Sequence, residues 1–550
     1  MLEGLVQHDF QLNLQHVLGR MRSVYGESEV VTLTEDGITR ATYSEVCKRI
    51  DRVAHALKSL GIEQGDRVAT FAWNSQNHLE VYMATPCTGA VLHTLNIRLF
   101  EDQLTYIANH AKDRVVFVDD TLVPLLEKVA PKFETVEHYI VMGDGDSGDL
   151  PNVIRYEELL ADQPGEVFDW PEIDDRMAAG LCYTSGTTGN PKGVLYSHRS
   201  NLLHSFGTCL ADAMGLRGSD RVLPVVPMFH ANAWGIPYAA GLIGSSLIMP
   251  TRFLQGEPLA KLIADEKVTV AAGVPTVWLD LLNYADANDA DLSSLRHVIG
   301  GGSAVPLALM KAFKERHDVE IVQAWGMTEM SPLGTVAHPP AGVEGDEEWT
   351  YRDRAGRLMP LVEARLIGDD GDEAPWDGKS TGELEVRGPW IASDYYEDPS
   401  GRDKFHDGWL RTGDIASIDS KGFVKISDRA KDVIKSGGEW ISSVELEGEL
   451  MAHDDVAEAA VVAKPDDKWG ERPLACVVVR EGAELNAGDI LEHLKPRVAK
   501  WWLPDQVVFI DEVPKTSVGK FDKKVLRKRL AEGDLEPEEV GKAEKEPAPS

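Results

Sequence analysis

Cysteine is scarce in this chain. There are five in 550 residues (Cys47, Cys87, Cys182, Cys209 and Cys476), scattered and with no C-x-x-C spacing. An odd, dispersed set excludes a disulfide framework and a thiolate zinc site, and fits reduced thiols in a cytoplasm. Long apolar runs are missing too. None approaches the roughly 20 residues that a helix needs to cross a bilayer. The opening Met1-Leu2-Glu3-Gly4 lacks the basic-then-apolar pattern of a secretory leader. The expectation is a soluble, cytoplasmic protein with no membrane span. Basic residues are in deficit: 56 Lys and Arg against 90 Asp and Glu give a formal charge of −34. Such a surface repels nucleic acid and anionic membrane, so neither is expected as a partner. It repels ATP and carboxylates in bulk as well, so any anion site has to be locally basic.

What the chain does have is length and apolar content. At 550 residues and 43% hydrophobic it is too long for a single core, and two or more domains are expected. Short apolar runs alternate with helical patterns. Val68–Ala72, Arg114–Val118 and Thr269–Val274 read as strands, and His78–Met83 reads as helix. That alternation predicts α/β layers with mostly parallel sheets. Near Leu384–Gly388 the strands shorten and turns multiply, which predicts a β-rich subdomain. After Ser427–Asp432 the pattern becomes compact and mixed. Glu458–Ala463 and Leu474–Val479 read as a hairpin, and Ile490, Leu491 and Leu494 mark an amphipathic helix. The expected division is a large domain over 1–428, a small α+β domain over 429–531, and a Glu-, Lys-, Pro- and Ala-rich disordered tail over 532–550.

The densest chemistry lies in Tyr183-Thr184-Ser185-Gly186-Thr187-Thr188-Gly189-Asn190-Pro191-Lys192-Gly193, after the apolar run Met177–Cys182. Glycines let backbone N–H groups approach an anion closely, hydroxyls add donors, and Lys192 adds a mobile cation. This suits a polyphosphate. It is not a Walker A loop, because no Gly-Lys-Ser/Thr closes it. Downstream, Gly300-Gly301-Gly302-Ser303-Ala304 permits close approach of a flat group, though a strand-to-helix turn explains the same glycines. Trp325-Gly326-Met327-Thr328-Glu329 offers an aromatic face, a phosphate donor and a carboxylate for a hard cation. Trp409–Asp414 ends in a carboxylate suited to vicinal hydroxyls, or to capping a turn. Pro514-Lys515-Thr516-Ser517-Val518-Gly519-Lys520 ends in a lysine on a glycine-flexible loop.

These segments, in this order, resemble the adenylate-forming superfamily of acyl-CoA synthetases, luciferases and peptide-synthetase adenylation domains, over nearly the whole chain. The resemblance implies a large multi-subdomain N-terminal domain and a small, mobile C-terminal domain. It implies ATP, Mg²⁺ and coenzyme A as cofactor and co-substrates, and a carboxylic acid as the other substrate. Carried onto this sequence, the ATP or AMP site takes Thr184, Ser185, Gly186, Thr187, Thr188, Gly189 and Lys192, with Gly302, Ser303 and Ala304 beside the adenine. It also takes Trp325, Gly326, Met327 and Thr328, with Asp414 and Arg429 on the ribose. The family usually has Tyr where Trp325 stands. Catalysis falls to Lys520, Thr328, Glu329 and His230, and the metal to Glu329 and Thr184. His230 belongs to Pro227–Trp234, which resembles the acyl-site segment; amino-acid-activating relatives have an acid there, so His230 points to a simple carboxylic acid. The acyl pocket takes His230, Trp234, Gly302 and Met327. Trp234 falls one turn beyond His230 if the segment is helical, and a bulky aromatic at Trp234 or Trp278 would shorten the pocket. Lys431 stands at the hinge, and Gly437, Gly438, Glu439 and Trp440 face the CoA arm. The basic helix from Lys523 to Arg529 reads as a solvated face.

The implied reaction is ATP-dependent formation of acyl-AMP, then of acyl-CoA. The pattern is most similar to the short- and medium-chain branch, especially 3-methylmercaptopropionate:CoA ligases. A carrier-protein-loading adenylation enzyme and a luciferase-like oxygenase share these motifs and stay open as alternatives. A homodimer is among the assemblies the sequence allows.

Overall fold

The computed structural model describes residues 2, 4–184, 190–368, 370–429, 432–436, 439–466, 468–515 and 521–539, with backbone alone at Ser400, Lys435, Glu439, Trp440 and Glu539. Two compact units divide the chain: 1–363 with 387–410, and 364–386 with 411–550.

The first unit is built on two sheets. One has seven strands in the order Val153–Arg155, His138–Met142, Asp113–Asp119, Arg67–Phe71, Val91–Thr94, Ala178–Tyr183, Gly193–Ser197. All neighbours are parallel except the last pair. These strands are near-continuous apolar runs because a parallel sheet is covered on both faces. Val116, Val118, Ala69 and Tyr139 pack with Leu104 and Ile107 of the helix Glu101–Ala111 in one such layer. The crossover helices are started by short polar caps: Thr42 forms a full capping box on Tyr43–Ser59, and Ser75 and Ser197 accept N–H groups of the helices that follow them.

The second sheet of this unit runs Gly356–Leu358, Leu333–Val336, Glu320–Gly326, His297–Gly301, Val270–Gly273, Arg221–Pro224, Ser246–Met249, Glu29–Thr34, Gly37–Thr42. Its central strands are parallel, from Glu320–Gly326 through to Glu29–Thr34. Trp278, Leu281 and Phe313 lie fully buried against it. Adjacent parallel strands all end on one side, and that is where open α/β sheets bind ligands. Here three of these strands end in Gly302-Ser303-Ala304, in Met327-Thr328-Glu329 and, by way of 225–229, in His230.

The second unit includes most of the neighbouring strands Gly382–Arg387, Trp409–Ile418 and Phe423–Arg429, the last two antiparallel, in the β-rich region expected near residue 384. It continues into a small mixed sheet. The hairpin Val456–Asp466/Gly470–Val479 is as read from the sequence. Helices Ser443–Met451 and Ala487–Leu494 cover one face, and Lys523–Glu532 covers the other through Leu526 and Leu530. The tail expected to be disordered from residue 532 is ordered at its start. Leu535 is buried against Leu526, and Glu538–Glu539 pairs antiparallel with Gln506–Val507. One apolar side chain and a free sheet edge suffice to fix a segment whose composition reads as solvated. No helix among the described residues is long and apolar enough to cross a membrane.

Candidate active site

The glycine- and threonine-rich loop connects two antiparallel strands, Ala178–Tyr183 and Gly193–Ser197. Its neck is closed by a pair of bonds: Thr184 N donates to Lys192 O at 2.9 Å, and Lys192 N donates to Thr184 Oγ1 at 3.1 Å. The Thr184 hydroxyl therefore accepts at the neck and keeps its own proton to donate. Ser185, Gly186, Thr187, Thr188 and Gly189 lie outside the described residues. Lys192 Nζ is 3.5 Å from Asp398 Oδ2 and 4.9 Å from the centre of the Tyr395 ring.

Across from it stands Glu329. The strand Glu320–Gly326 leads into a single 3₁₀ turn, Thr328–Met330. Gly326 is obligatory there, because a Cβ would meet the Pro332 carbonyl. Tyr196 Oη donates to Thr328 O at 2.7 Å, and Ala392 N donates to Glu329 O at 2.7 Å, so the turn is pinned from two directions. The Glu329 side chain is buried, yet it receives the Tyr395 hydroxyl at 2.5 Å and has Lys404 Nζ at 3.9 Å. A buried carboxylate needs such partners to stay charged. Trp325 is half-buried, with its ring edge on Gly334, and Met327 is half-buried beside it. On the neighbouring strand end Gly302 takes a left-handed φ of 83°, while Ser303 and Ala304 are exposed. The turn is anchored by Val305 N donating to Gln323 Oε1 at 2.6 Å.

The acyl-site segment is not the helix that the His230–Trp234 spacing assumed. Ala231, Asn232, Ala233 and Trp234 all have positive φ, from 42° to 55°, and Gly235 follows at 73°. A left-handed turn of non-glycine residues costs about 1–2 kcal/mol per residue and is held by its surroundings. Asn232 Oδ1 accepts from Cys182 Sγ at 3.3 Å and Asn232 O from Tyr82 Oη at 3.3 Å, while Gly235 lies against the His204 ring. Strain of this kind concentrates at ligand sites. The turn leaves His230 half-buried and brings the buried Trp234 ring onto Gly301, beside Gly302. Trp278, weighed beside Trp234 as a pocket-shortening aromatic, is a core residue instead: it is fully buried and its Nε1 donates to Ile299 O at 3.1 Å.

Within the second unit, Asp414 and Arg429 face each other on antiparallel strands. Arg429 Nε is 2.8 Å from Asp414 Oδ1, and the Asp414 side chain is otherwise enclosed. Glu439 and Trp440 lie on the strand Glu439–Ile441, paired with Ile434–Ser436. Lys431, Gly437, Gly438 and Lys520 lie outside the described residues.

Comparison with known proteins gives these arrangements a family. The AMP-binding enzyme family matches residues 22–396, and the AMP-binding enzyme C-terminal domain matches residues 445–520. The chain belongs to the AMP-binding enzymes. It is 46% identical to a long-chain-fatty-acid–CoA ligase of Thermus thermophilus, over 95% of this chain and 96% of that one. It is 44% identical to a 3-methylmercaptopropionyl-CoA ligase of Ruegeria lacuscaerulensis, over 92% and 94%. Among solved structures, an anthranilate CoA ligase in complex with anthranoyl-AMP superposes with a TM-score of 0.85, at 27% identity, covering 95% of this chain and 98% of that one.

In this AMP-binding enzyme the structure brings Lys192 and Glu329 onto one aromatic ring, that of Tyr395, with Thr184 bonded to Lys192 at the loop's neck, and Trp234 onto Gly301. Sequence reasoning named Thr184, Lys192, Glu329 and Trp234 but missed what joins them. Tyr395 and Asp398 lie in Asp394-Tyr395-Tyr396-Glu397-Asp398, which has no glycine pattern and no periodicity to mark it. Tyr196 and Asn232 were equally silent. No signal short of the tertiary structure separates them from ordinary packing residues.

Proposed function

We propose that this enzyme is an AMP-forming acid–thiol ligase that converts a carboxylic acid, ATP and coenzyme A into acyl-CoA. The observation that carries this is the meeting of Lys192 and Glu329 on Tyr395. A polyphosphate and its divalent cation need a basic group and a carboxylate held at a fixed spacing.

The substrate carboxylate oxygen attacks the α-phosphorus of ATP, and pyrophosphate leaves. The resulting mixed anhydride is then attacked at its acyl carbon by the CoA thiolate, and AMP leaves with the oxygen that came from the acid. No covalent bond to the protein is needed. Lys192 and the hydroxyls of Thr184, Ser185, Thr187 and Thr188 hold the β- and γ-phosphates. Thr328 donates to the phosphate chain, Trp325 and the turn Gly302-Ser303-Ala304 flank the adenine, and Asp414 with Arg429 takes the ribose hydroxyls. Lys520 offsets charge as it builds between carboxylate and α-phosphate. Gly437, Gly438, Glu439 and Trp440 serve the pantetheine arm, and Lys431 the change between the two half-reactions.

Among the described residues no cluster of three His, Cys, Asp or Glu gathers to hold a metal by protein ligands alone. One buried carboxylate suits Mg²⁺, which takes most of its ligands from water and phosphate oxygens. Glu329, with Thr184, would hold it. When bound, Mg²⁺ neutralises phosphate charge and fixes the pyrophosphate as a leaving group.

The acid is proposed to be 3-methylmercaptopropionate or another short- to medium-chain acid. Trp234, pressed against Gly301, is read as limiting the depth of the acyl pocket, and His230 stands where amino-acid-activating relatives have an acid. The reading assigns the protein to the cytoplasm, in keeping with five free cysteines, four of them buried. It divides the enzyme functionally at 428/429, which limited proteolysis with and without ligands would locate; sedimentation would test assembly as a homodimer. The activity is tested by pyrophosphate release across straight-chain and thioether acids, with and without CoA. Acid-dependent release, and thioester only when CoA is added, is the expected result. Dependence on a carrier protein in place of CoA would overturn the reading.

A further inference from the structure

One side chain outside every motif touches both halves of the phosphate machinery. The Tyr395 ring lies 4.9 Å from Lys192 Nζ, and its hydroxyl donates to Glu329 Oε1 at 2.5 Å. The ring is itself clamped. Tyr395 is only 5% exposed, Phe405 meets it edge-on with centroids 5.1 Å apart, and the backbone at Gly401 comes so close that any Cβ there would enter the ring. Both described contacts to the Glu329 carboxylate, from Tyr395 and from Lys404, fall on Oε1. On the lysine side, Asp398 Oδ2 stands 3.5 Å from Nζ and holds the ammonium over the ring.

We propose that Tyr395 is a positioning residue that sets the spacing between Lys192 and Glu329, so that the polyphosphate and its divalent cation bind as one unit and not independently. The inference rests on the roles given above to Lys192 and Glu329. It assigns two separable functions to one residue. The ring face supports the lysine by a cation–π contact, worth about 0.5–1 kcal/mol at a part-exposed site. The hydroxyl orients the carboxylate through a hydrogen bond to a charged group, which is the stronger of the two contacts. Tyr395→Phe removes only the second, and Tyr395→Leu removes both.

The test is calorimetric binding of α,β-methylene-ATP, which is not cleaved between its α and β phosphates, at a series of Mg²⁺ concentrations. Thermal unfolding confirms that each variant folds. Tyr395→Phe should bind the analogue without Mg²⁺ within about twofold of the parent, while the gain in affinity on adding Mg²⁺ falls about tenfold. Tyr395→Leu should show the same loss and also bind the Mg²⁺-free analogue about two- to fivefold more weakly. If the leucine variant does not fold, the phenylalanine variant decides alone, since it keeps the ring. Lys192→Ala and Glu329→Gln are the controls. Should Glu329→Gln leave the Mg²⁺ gain intact, the metal role of Glu329 is wrong. Should Glu329→Gln abolish the gain and Tyr395→Phe leave it unchanged, the coupling role of Tyr395 is wrong. Equal weakening with and without Mg²⁺ in Tyr395→Phe would mark the residue as packing alone, and overturn the proposal.

Discussion

Two tryptophans show how far a side-chain type can mislead. Trp234 and Trp278 both follow motif residues, and both are large enough to block a pocket. The structure separates them. Trp278 is fully buried with its indole N–H bound to Ile299 O, whereas Trp234 sits on a strained turn against Gly301. Trp278→Ala should cost about 3–5 kcal/mol of stability, read by denaturant unfolding, with no change in the order of preferred acids. Trp234→Ala should shift preference to longer acids. A buried CH₂ contributes about 0.8 kcal/mol, so each methylene newly accommodated should raise kcat/KM about fourfold relative to the shorter acid. If Trp234→Ala lowers kcat/KM equally on all acids, the ring supports the turn and does not limit the pocket.

The helix His198–Cys209 carries a support that the sequence did not advertise. His204 is buried beneath Gly235 of the left-handed turn, and its Nε2 faces the Leu333 N–H at 3.3 Å. That nitrogen has to accept, so the ring has to be neutral. Burial lowers its pKa from 6.5 to about 3. As pH falls below 6.5 the unfolded chain takes up a proton that the fold refuses, so stability is lost progressively from about 6.5 down towards 3. His204→Gln keeps an acceptor and removes the titration. Between pH 6.5 and 4.5 its unfolding free energy should fall less steeply than the parent's, by up to about 1.4 kcal/mol per pH unit. An unchanged slope would show that the imidazole is not the neutral acceptor. Such elements explain what was legible. Strands such as Arg67–Phe71 and Asp113–Asp119, the Val456–Val479 hairpin and the helix Ala487–Leu494 could be read because each is set by its own apolar period. The turn Ala231–Gly235 could not, because its handedness is imposed by Cys182, Tyr82 and His204 from other elements. The same holds for Tyr395: Glu329 and Lys192 are visible in glycine-flanked motifs, but the residue between them is defined only by what it touches.

Across the chain, the proposed mechanism gives the two half-reactions different groups. Lys520 is proposed for the first, where its charge would meet the negative charge developing between carboxylate and α-phosphate. Loss of one such donor typically costs about 10²–10³ in rate. Lys520→Ala should therefore lose acid-dependent ATP–pyrophosphate exchange by at least that factor, yet still convert supplied acyl-AMP and CoA to thioester at close to the parent rate. Equal damage to both steps would defeat the division of labour, even with the ligase activity intact.

The most direct measurement follows oxygen. With the substrate acid labelled by ¹⁸O in both carboxyl positions, one turnover through an acyl-adenylate leaves one labelled oxygen in the thioester and moves the other into the phosphate of AMP. Mass spectrometry of the products should find one ¹⁸O per AMP and none in pyrophosphate. Label absent from AMP, or appearing in an inorganic phosphate released beside ADP, would contradict the mechanism at its root.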